Sequence, residues 1–295
     1  MAHPQIAVFA RLAKGGDAAK RVIFGQQTLL SRTMHDIRYS EKRDEIYVTN
    51  PFAQAILTFK GDASGDQSPI RVIQGPKTQL GGIDTLEIDD INNEFLIPDG
   101  GAIKAFPIAA NGDVAPVRVL RSGNSVGWSP GGGIGVDNVH QFLATDGTLS
   151  GELAKQYPRE SDFRGGRDTI LIFNRLDEGN DVKPLRIIRG DKTGIFAIRQ
   201  MQVWPKGGWV IVAQITDGGI AIPDGTFVGV WSIYDNGNVP PRWRIDGKPS
   251  NILAKPRGVA LNPKHKELLV SDMRLNAVLT FAFPEIFDQE AKPIN

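Results

Sequence analysis

Cysteine is absent from the 295 residues of this chain. The protein therefore has no disulfide bond, no thiolate ligand for a metal and no cysteine nucleophile. Histidine is scarce, with four residues, and the four are scattered. The sequence thus lacks the closely spaced histidine pairs that bind zinc in many enzymes.

An excess of charge of one sign is also missing, because 34 Lys+Arg stand against 33 Asp+Glu and no basic run stands out. We therefore expect no nucleic-acid partner. No stretch reaches about 18 uninterrupted apolar residues, so we expect no membrane span. The first residues lack the basic and apolar regions of a signal peptide, and we expect a soluble protein, either cytoplasmic or exported with its signal peptide removed.

Glycine and proline are plentiful, with 33 and 19 residues spread along the chain, which indicates many turns and favours an all-β fold. A search for internal repeats finds apolar runs that end in an aromatic residue and are followed six residues later by glycine. The aromatic residues are Phe9, Phe59, Phe106, Phe173 and Trp231, and the glycines are Gly15, Gly65, Gly112, Gly179 and Gly237.

Each of these glycines is followed by Asp or Asn, and an arginine then opens a second apolar run. This pattern predicts a β-hairpin with a turn residue at positive φ. Two further short strands lie between successive hairpins. The repeating unit therefore has four strands, which we call a, b, c and d in chain order.

The repeat predicts an all-β fold: a single β-propeller of four-stranded antiparallel blades across residues 1–295. A lone sheet of this size cannot bury both faces, so neighbouring sheets must pack face to face. The predicted strands number 21, whereas five blades need 20 and six need 24. The count favours five blades, with six as the alternative. We expect N- and C-terminal strands to close the ring together.

The last a and b strands read KPRGVALN over residues 255–262 and ELLVSD over residues 267–272. Other b strands end in Thr49-Asn50, Pro98-Asp99 and Thr145-Asp146. These segments resemble the NHL-repeat and SMP-30/gluconolactonase group of propellers. The resemblance implies a divalent metal at the channel mouth, held by Glu, Asn and Asp. Where the lactonases have Pro-Asn-Gly, this chain has Arg257, and arginine is not a metal ligand.

In propellers the d-to-a and b-to-c loops gather at one mouth of the central channel, where ligands usually bind. We expect the candidate site there. Its predicted polar members are His35, Asp36, Asp84, Arg199, Gln200 and Arg257, with Asn50, Asp99, Asp146 and Asp272 at the ends of b strands. The recurring b-strand residues also suit a structural task such as capping a turn. Trp128 and Tyr157 are further candidates for ligand binding, and Trp128 alternatively fills a blade interface.

Two b-to-c connections are lengthened, at residues 148–168 and 215–226. Long loops in a compact domain are often functional, so these insertions either cover the mouth or are solvated excursions.

His35, Asp36 and Asp84 together suit a metal site, or a base with its orienting carboxylate. The metal would be Ca²⁺, Zn²⁺ or Mn²⁺, and Arg199 or Arg257 would stabilise a developing anion. The alternative for His35 is a hydrogen-bonded channel residue without chemistry.

Three functions follow from this pattern. The first is a propeller that binds a small molecule or a protein at the channel mouth, because the mouth is polar but matches no catalytic motif. The second is a metal-dependent hydrolase or lyase of the lactonase-like kind at the same mouth. The third is a structural or enzyme-accessory module. The sequence leaves open whether the protein is an enzyme.

Overall fold

The computed structural model describes residues 4–32, 34–159, 167–215, 225–248 and 253–293. These residues form 21 β-strands and three short α-helices. The helices are α1 (Gly123–Val126), α2 (Gly151–Gln156) and α3 (Pro284–Asp288). Among the described residues, no helix has the length and apolar character needed to cross a membrane.

The strands form antiparallel sheets whose members follow chain order. A hairpin of β1 (Gln5–Val8) and β2 (Arg21–Phe24) comes first. Blade 1 is β3 (Ile37–Ser40), β4 (Glu45–Asn50), β5 (Ala55–Lys60) and β6 (Arg71–Ile73). Blade 2 is β7 (Glu87–Asp89), β8 (Glu94–Asp99), β9 (Ala102–Pro107) and β10 (Arg118–Arg121).

Three more sheets follow. Blade 3 is β11 (Trp128–Asp137), β12 (Phe142–Leu149), β13 (Thr169–Asn174) and β14 (Arg186–Ile188). Blade 4 is β15 (Ala197–Trp204), β16 (Trp209–Ile215), β17 (Phe227–Ser232) and β18 (Trp243–Asp246). Blade 5 is β19 (Pro256–Asn262), β20 (Glu267–Asp272) and β21 (Ala277–Ala282).

The fold is therefore the all-β, five-bladed β-propeller predicted from the repeat, and the predicted number of strands is confirmed. Four blades have four strands each. In the described residues, β2 pairs with β1, and β21 pairs with β20. Closure of a ring by N- and C-terminal strands stays a prediction. So does the organisation as a single domain.

The chain divides into two compact units. Unit 1 comprises Met1–Gly100 and Lys104–Val117, and unit 2 comprises Gly101–Ile103 and Arg118–Asn295. Four of the five predicted aromatic positions anchor the cores of the units, whereas Phe9 follows β1 and is 53% exposed. Phe59 and Phe106 are fully buried in unit 1, and Phe173 and Trp231 are fully buried in unit 2. Each lies on the third strand of its blade, facing neighbouring apolar side chains.

The turn glycines of the repeat contact the outer strand that precedes their blade. Parallel bridges join Ile23 to Gly65, Ile73 to Gly112, Leu120 to Gly179 and Ile188 to Gly237. Beside the second bridge, Asp113 Oδ1 accepts a hydrogen bond from the backbone N–H of Lys77 at 2.7 Å. Gly75 lies there at φ 133°, and a Cβ on it would stand 2.5 Å from Asp113 Cγ. Glycine is required because any side chain would clash and strain the backbone.

Candidate functional site

We call the upper end of a blade the end at which its second strand finishes and its first strand begins. In every blade a buried polar side chain at this end forms hydrogen bonds with the backbone or side chains around the start of the first strand. The partner lies in the preceding loop in four blades and at the bulge within the strand in blade 3. The pairs are Asn50 with Ser31 and Leu29, Asp99 with Gly81, Asp146 with Gly133, Gln214 with Phe196, and Asp272 with Ala254 and Lys255.

These contacts give the recurring residues a structural task, as a turn-capping interpretation of the sequence expects. Sequence reasoning missed Gln214, whose amide oxygen accepts the hydrogen bond that a carboxylate accepts in blades 2, 3 and 5. It also missed Lys104, a buried side chain whose Nζ donates to Asp99 Oδ2 at 2.7 Å. A ligand-binding role for Asn50, Asp99 and Asp146 stays a prediction.

Unit 1 brings His35 and Asp84 together in its upper loops. His35 Nδ1 lies 2.7 Å from Asp84 Oδ1, and the two side chains are 48% and 33% exposed. Thr49 anchors the backbone of Asp84 and of Asp36, the residue that follows His35. Its hydroxyl donates to the backbone oxygen of Asp84 at 3.0 Å and accepts from the N–H of Asp36 at 2.9 Å. The carboxylate thus orients the imidazole on a supported backbone, as in catalytic Asp–His pairs.

A buried charge cluster lies next to this pair. Asp36 Oδ1 accepts from Arg38 Nη1 at 2.7 Å, and Arg38 Nε lies 3.5 Å from Glu87 Oε2. The exposed fractions of the three side chains are 2%, 10% and 14%. Burial raises the pKa of Glu87 to about 7; Arg38 acts against this rise, and the negative charge of Asp36 adds to it. Two carboxylates therefore share one guanidinium, which favours a protonated Glu87.

The predicted metal ligands do not converge. Asp36 directs its carboxylate to Arg38 and to the backbone N–H of Leu86, which donates to Oδ2 at 3.1 Å. Asp84 directs its carboxylate to His35. Among the residues that the structure describes, no three His, Asp or Glu side chains lie close enough together to hold a metal ion. His35 and Asp84 therefore form a hydrogen-bonded pair beside a buried cluster that contains Asp36, and a metal-binding role for the three residues stays a prediction.

Unit 2 presents bulges on its first strands. The register of β11 shifts between Pro130 and Ile134, that of β15 between Ile198 and Gln200, and that of β19 between Pro256 and Gly258. The extra residues are Gly131–Gly133 in blade 3, Arg199 in blade 4 and Arg257 in blade 5. Because β-bulges redirect side chains and interrupt ladder pairing, they are frequent beside binding sites.

The glycine run of blade 3 has a structural cause. A Cβ on Gly131 would stand 2.1 Å from Asp146 Oδ2, and one on Gly133 would stand 3.1 Å from Met201 Cβ. The backbone of Gly133 donates to Asp146 Oδ1 at 2.5 Å. Glycine is thus needed for close approach to a buried carboxylate.

The two bulge arginines lie on neighbouring strands. β15 and β19 pack against each other, and the N–H of Val259 donates to Gln200 Oε1 at 2.6 Å. This bond lies next to both bulges in sequence, since Gln200 follows Arg199 and Val259 is two residues after Arg257. Arg199 is half-buried and Arg257 is exposed. Gln200, a predicted ligand-binding residue, is itself buried and joins the blades.

Two predicted residues lie elsewhere in unit 2. Trp128 is 4% exposed, packs on Phe173 at 4.8 Å between ring centroids, and donates from Nε1 to the backbone oxygen of Val182 at 2.6 Å. Tyr157 is half-buried after α2, and its backbone oxygen accepts from Arg189 Nη1. These positions favour a packing role for Trp128. Residues 160–166 and 216–224 of the two predicted long loops lie outside the described residues.

Blade 5 adds basic side chains around Asp272. Asp272 Oδ2 accepts from the N–H groups of Ala254 and Lys255 at 2.7 and 2.8 Å. Its Oδ1 accepts from those of Arg274 and Leu275 at 3.0 and 3.1 Å. The carboxylate is buried under the backbone it organises, so its charge is turned away from solvent. We call Arg199, Lys255, Arg257 and Arg274 the basic surface of unit 2.

A groove of about 410 Å³ lies at the opposite end of blade 4, lined by Trp209, Trp243, Arg242 and the segment from Gln289 to Lys292. Its walls belong to the core of unit 2. Trp209 donates from Nε1 to the backbone oxygen of Gln289 at 2.9 Å, and Trp243 packs on Trp209 and Phe283. The groove is therefore remote from the basic surface, and packing accounts for its aromatic lining.

Comparisons with known proteins find similarity in structure but not in sequence family. No protein-family model and no curated protein matches this sequence. The chain is similar in structure to hydrazine synthase of Kuenenia stuttgartiensis, with a TM-score of 0.51 and 12% identity over 79% of this chain and 54% of that one. It thus spans about half the length of that chain. The WD40 β-propeller domain of Doa1 gives a TM-score of 0.47 and 12% identity over 90% of this chain and 72% of that one.

In all, 884 solved chains match, so the architecture is widely shared and does not select a function. Membership of the NHL-repeat or SMP-30/gluconolactonase group stays a prediction. The chain is an all-β, five-bladed propeller.

Proposed function

We propose that this propeller binds an anionic ligand at the basic surface of unit 2. The observation that carries the proposal is the placement of Arg199 and Arg257 at equivalent bulges of two adjacent first strands. Guanidinium groups present several N–H donors in a plane, which suits carboxylate and phosphate oxygens. In this proposal the two guanidinium groups, carried on packed strands, bind the anion together.

The local charge supports the same ligand class. Lys255 and Arg274 are held beside Arg257 by the backbone hydrogen bonds to Asp272. Among the described residues at the upper end of blade 5, the acidic side chain is that of Asp272, and it is buried. The charged side chains of blade 5 that are described and not buried at this end are all basic: Lys255, Arg257 and Arg274. Such a surface attracts anions at moderate ionic strength and loses that attraction as salt rises.

The test compares two double variants with equal loss of charge. We expect Arg199→Gln/Arg257→Gln to weaken binding of citrate and of a fluorescein-labelled hexaglutamate peptide at least about tenfold, because each lost charge-assisted contact costs roughly 1 kcal/mol or more. Titration calorimetry and fluorescence anisotropy measure the two ligands. The control Lys206→Gln/Lys264→Gln changes exposed residues at the opposite end of the same blades. Equal affinities in both variants would refute the proposal.

A second candidate function rests on the His35–Asp84 pair. A carboxylate 2.7 Å from Nδ1 on an anchored loop prepares an imidazole to act as a general base at its other nitrogen. We propose, as the alternative, hydrolysis of an ester or lactone of the lactonase-like kind. His35, not a three-ligand metal centre, would then activate water.

For this alternative we expect His35→Gln to lower the rate of ester and lactone hydrolysis roughly a hundredfold, the lower range for loss of a general base. His265→Gln is the matched control, since His265 lies exposed in the turn between β19 and β20. A chromogenic ester panel and a pH-indicator lactone assay give the rates. Wild-type activity no higher than that of the His35→Gln variant would eliminate the hydrolase.

A further inference from the structure

The turn between β20 and β21 combines exposed apolar and basic side chains. Met273 and Leu275 are 57% and 42% exposed, and Arg274 stands between them in sequence. The corresponding turn of blade 2 contains Gly100 and Gly101. The fold therefore does not require large apolar side chains at this position. Exposing two of them to water is unfavourable and adds nothing to the core.

This turn is held rigidly beside the bulge arginine. Asp272 Oδ1 accepts from the N–H groups of Arg274 and Leu275, and the N–H of Met273 donates to the backbone oxygen of Lys255 at 3.0 Å. The same carboxylate also binds the N–H of Lys255, two residues before Arg257. The backbone that carries Lys255, Arg274 and Leu275 is thus held directly by one buried carboxylate, and Met273 is bound through Lys255. A pre-organised surface loses little conformational entropy when a partner binds.

We infer that the basic surface with Met273 and Leu275 docks an acidic peptide segment that carries hydrophobic residues. The inference rests on the anion binding proposed above and specifies its ligand. A small anion would use the cations alone, whereas an acidic peptide with apolar side chains also covers Met273 and Leu275. Methionine is well suited to such contacts because its flexible thioether adapts to varied partners. Charge complementarity selects the acidic partner, and apolar contact adds affinity.

The experiment uses the full chain and two fluorescein-labelled octapeptides, one alternating glutamate with leucine and one alternating glutamate with serine. We expect the leucine peptide to bind at least about tenfold more tightly, measured by fluorescence anisotropy. Met273→Ser/Leu275→Ser should remove that difference and leave the affinity for the serine peptide and for citrate unchanged. The control Val139→Ser/Leu176→Ser changes exposed apolar residues elsewhere in unit 2.

Four results would overturn the inference. Equal binding of the two octapeptides, or an unaltered preference in the Met273→Ser/Leu275→Ser variant, would show that the apolar pair takes no part, while citrate binding would still support the anion site. Tighter binding to vesicles containing 30 mol% phosphatidylserine than to the leucine peptide, lost in the same variant, would assign the surface to a lipid headgroup region. Binding of none of these probes would refute the inference and the proposed function together.

Discussion

Asp272→Ala is expected to lower the free energy of unfolding by about 4 kcal/mol. The buried carboxylate accepts four backbone N–H groups, from Ala254, Lys255, Arg274 and Leu275. Alanine would leave these donors without their acceptor, and each buried orphan costs roughly 1–3 kcal/mol before water re-enters the site. Urea unfolding followed by tryptophan fluorescence measures the change.

Asp288→Ala provides the comparison for that measurement. Asp288 pairs with Lys266 at 2.5 Å, but the two side chains are about half exposed. An exposed ion pair contributes roughly 0–1 kcal/mol, so this variant should unfold close to the wild type. Asp272→Asn should fall between the two, because it keeps one acceptor oxygen. A loss below about 1 kcal/mol in Asp272→Ala would show that the loop does not depend on this carboxylate.

Glu87→Gln is expected to stabilise the protein above neutral pH by about 3 kcal/mol. The folded pKa of Glu87 is about 7, against an ordinary value of 4.5, because the side chain is buried. The folded state then binds more protons than the unfolded state between these values. The contribution of Glu87 to stability is therefore complete below pH 4.5 and is lost as pH rises through 7.

Glutamine has the shape of protonated glutamate and does not ionise, so the variant should match the wild type near pH 4.5 and exceed it at pH 8. Thermal or urea unfolding across this range measures the difference. Glu45→Gln tests a carboxyl group whose pKa is shifted in the opposite direction. Burial opposes ionisation of Glu45, but hydrogen bonds from Arg71 and Tyr47 hold its pKa below the ordinary value, so its loss should destabilise at pH 8. Parallel pH profiles of wild type and Glu87→Gln would disprove the raised pKa.

The strand-d arginines show how a recurring residue can be interpreted from sequence. They open the fourth strand of each repeat, and recurrence in every copy indicates a structural task. The structure pairs Arg21 with the oxygen of Gly61, Arg71 with Glu45, Arg118 with the oxygen of Arg175, Arg186 with the ring of Phe142 and Arg242 with Asp235. The partner differs from blade to blade, because each guanidinium uses whichever acceptor or ring its own neighbours supply.

The candidate site was predictable only in part. The positions of His35 and Asp84 in upper loops follow from counting strands, because loop position is a consequence of chain order. Arg199 and Arg257 were expected in such loops, but they lie at bulges inside β15 and β19. The contacts that these side chains make do not follow from chain order. Asp36 follows His35 directly, yet one side chain is buried against Arg38 while the other is exposed beside Asp84. Glu87, which has the most perturbed carboxyl of this cluster, had no distinguishing sequence signal.

The sequence by itself determined the fold class, the number of strands and the turn glycines. These depend on local properties: the alternation of apolar residues, aromatic anchors at a regular spacing, and positive φ in turns. Tertiary structure alone decided which carboxylates are buried, that Gln214 replaces an acid in blade 4, and that Asp272 gathers basic and apolar side chains on one surface. Burial and pairing arise between segments distant in sequence, so no local pattern records them.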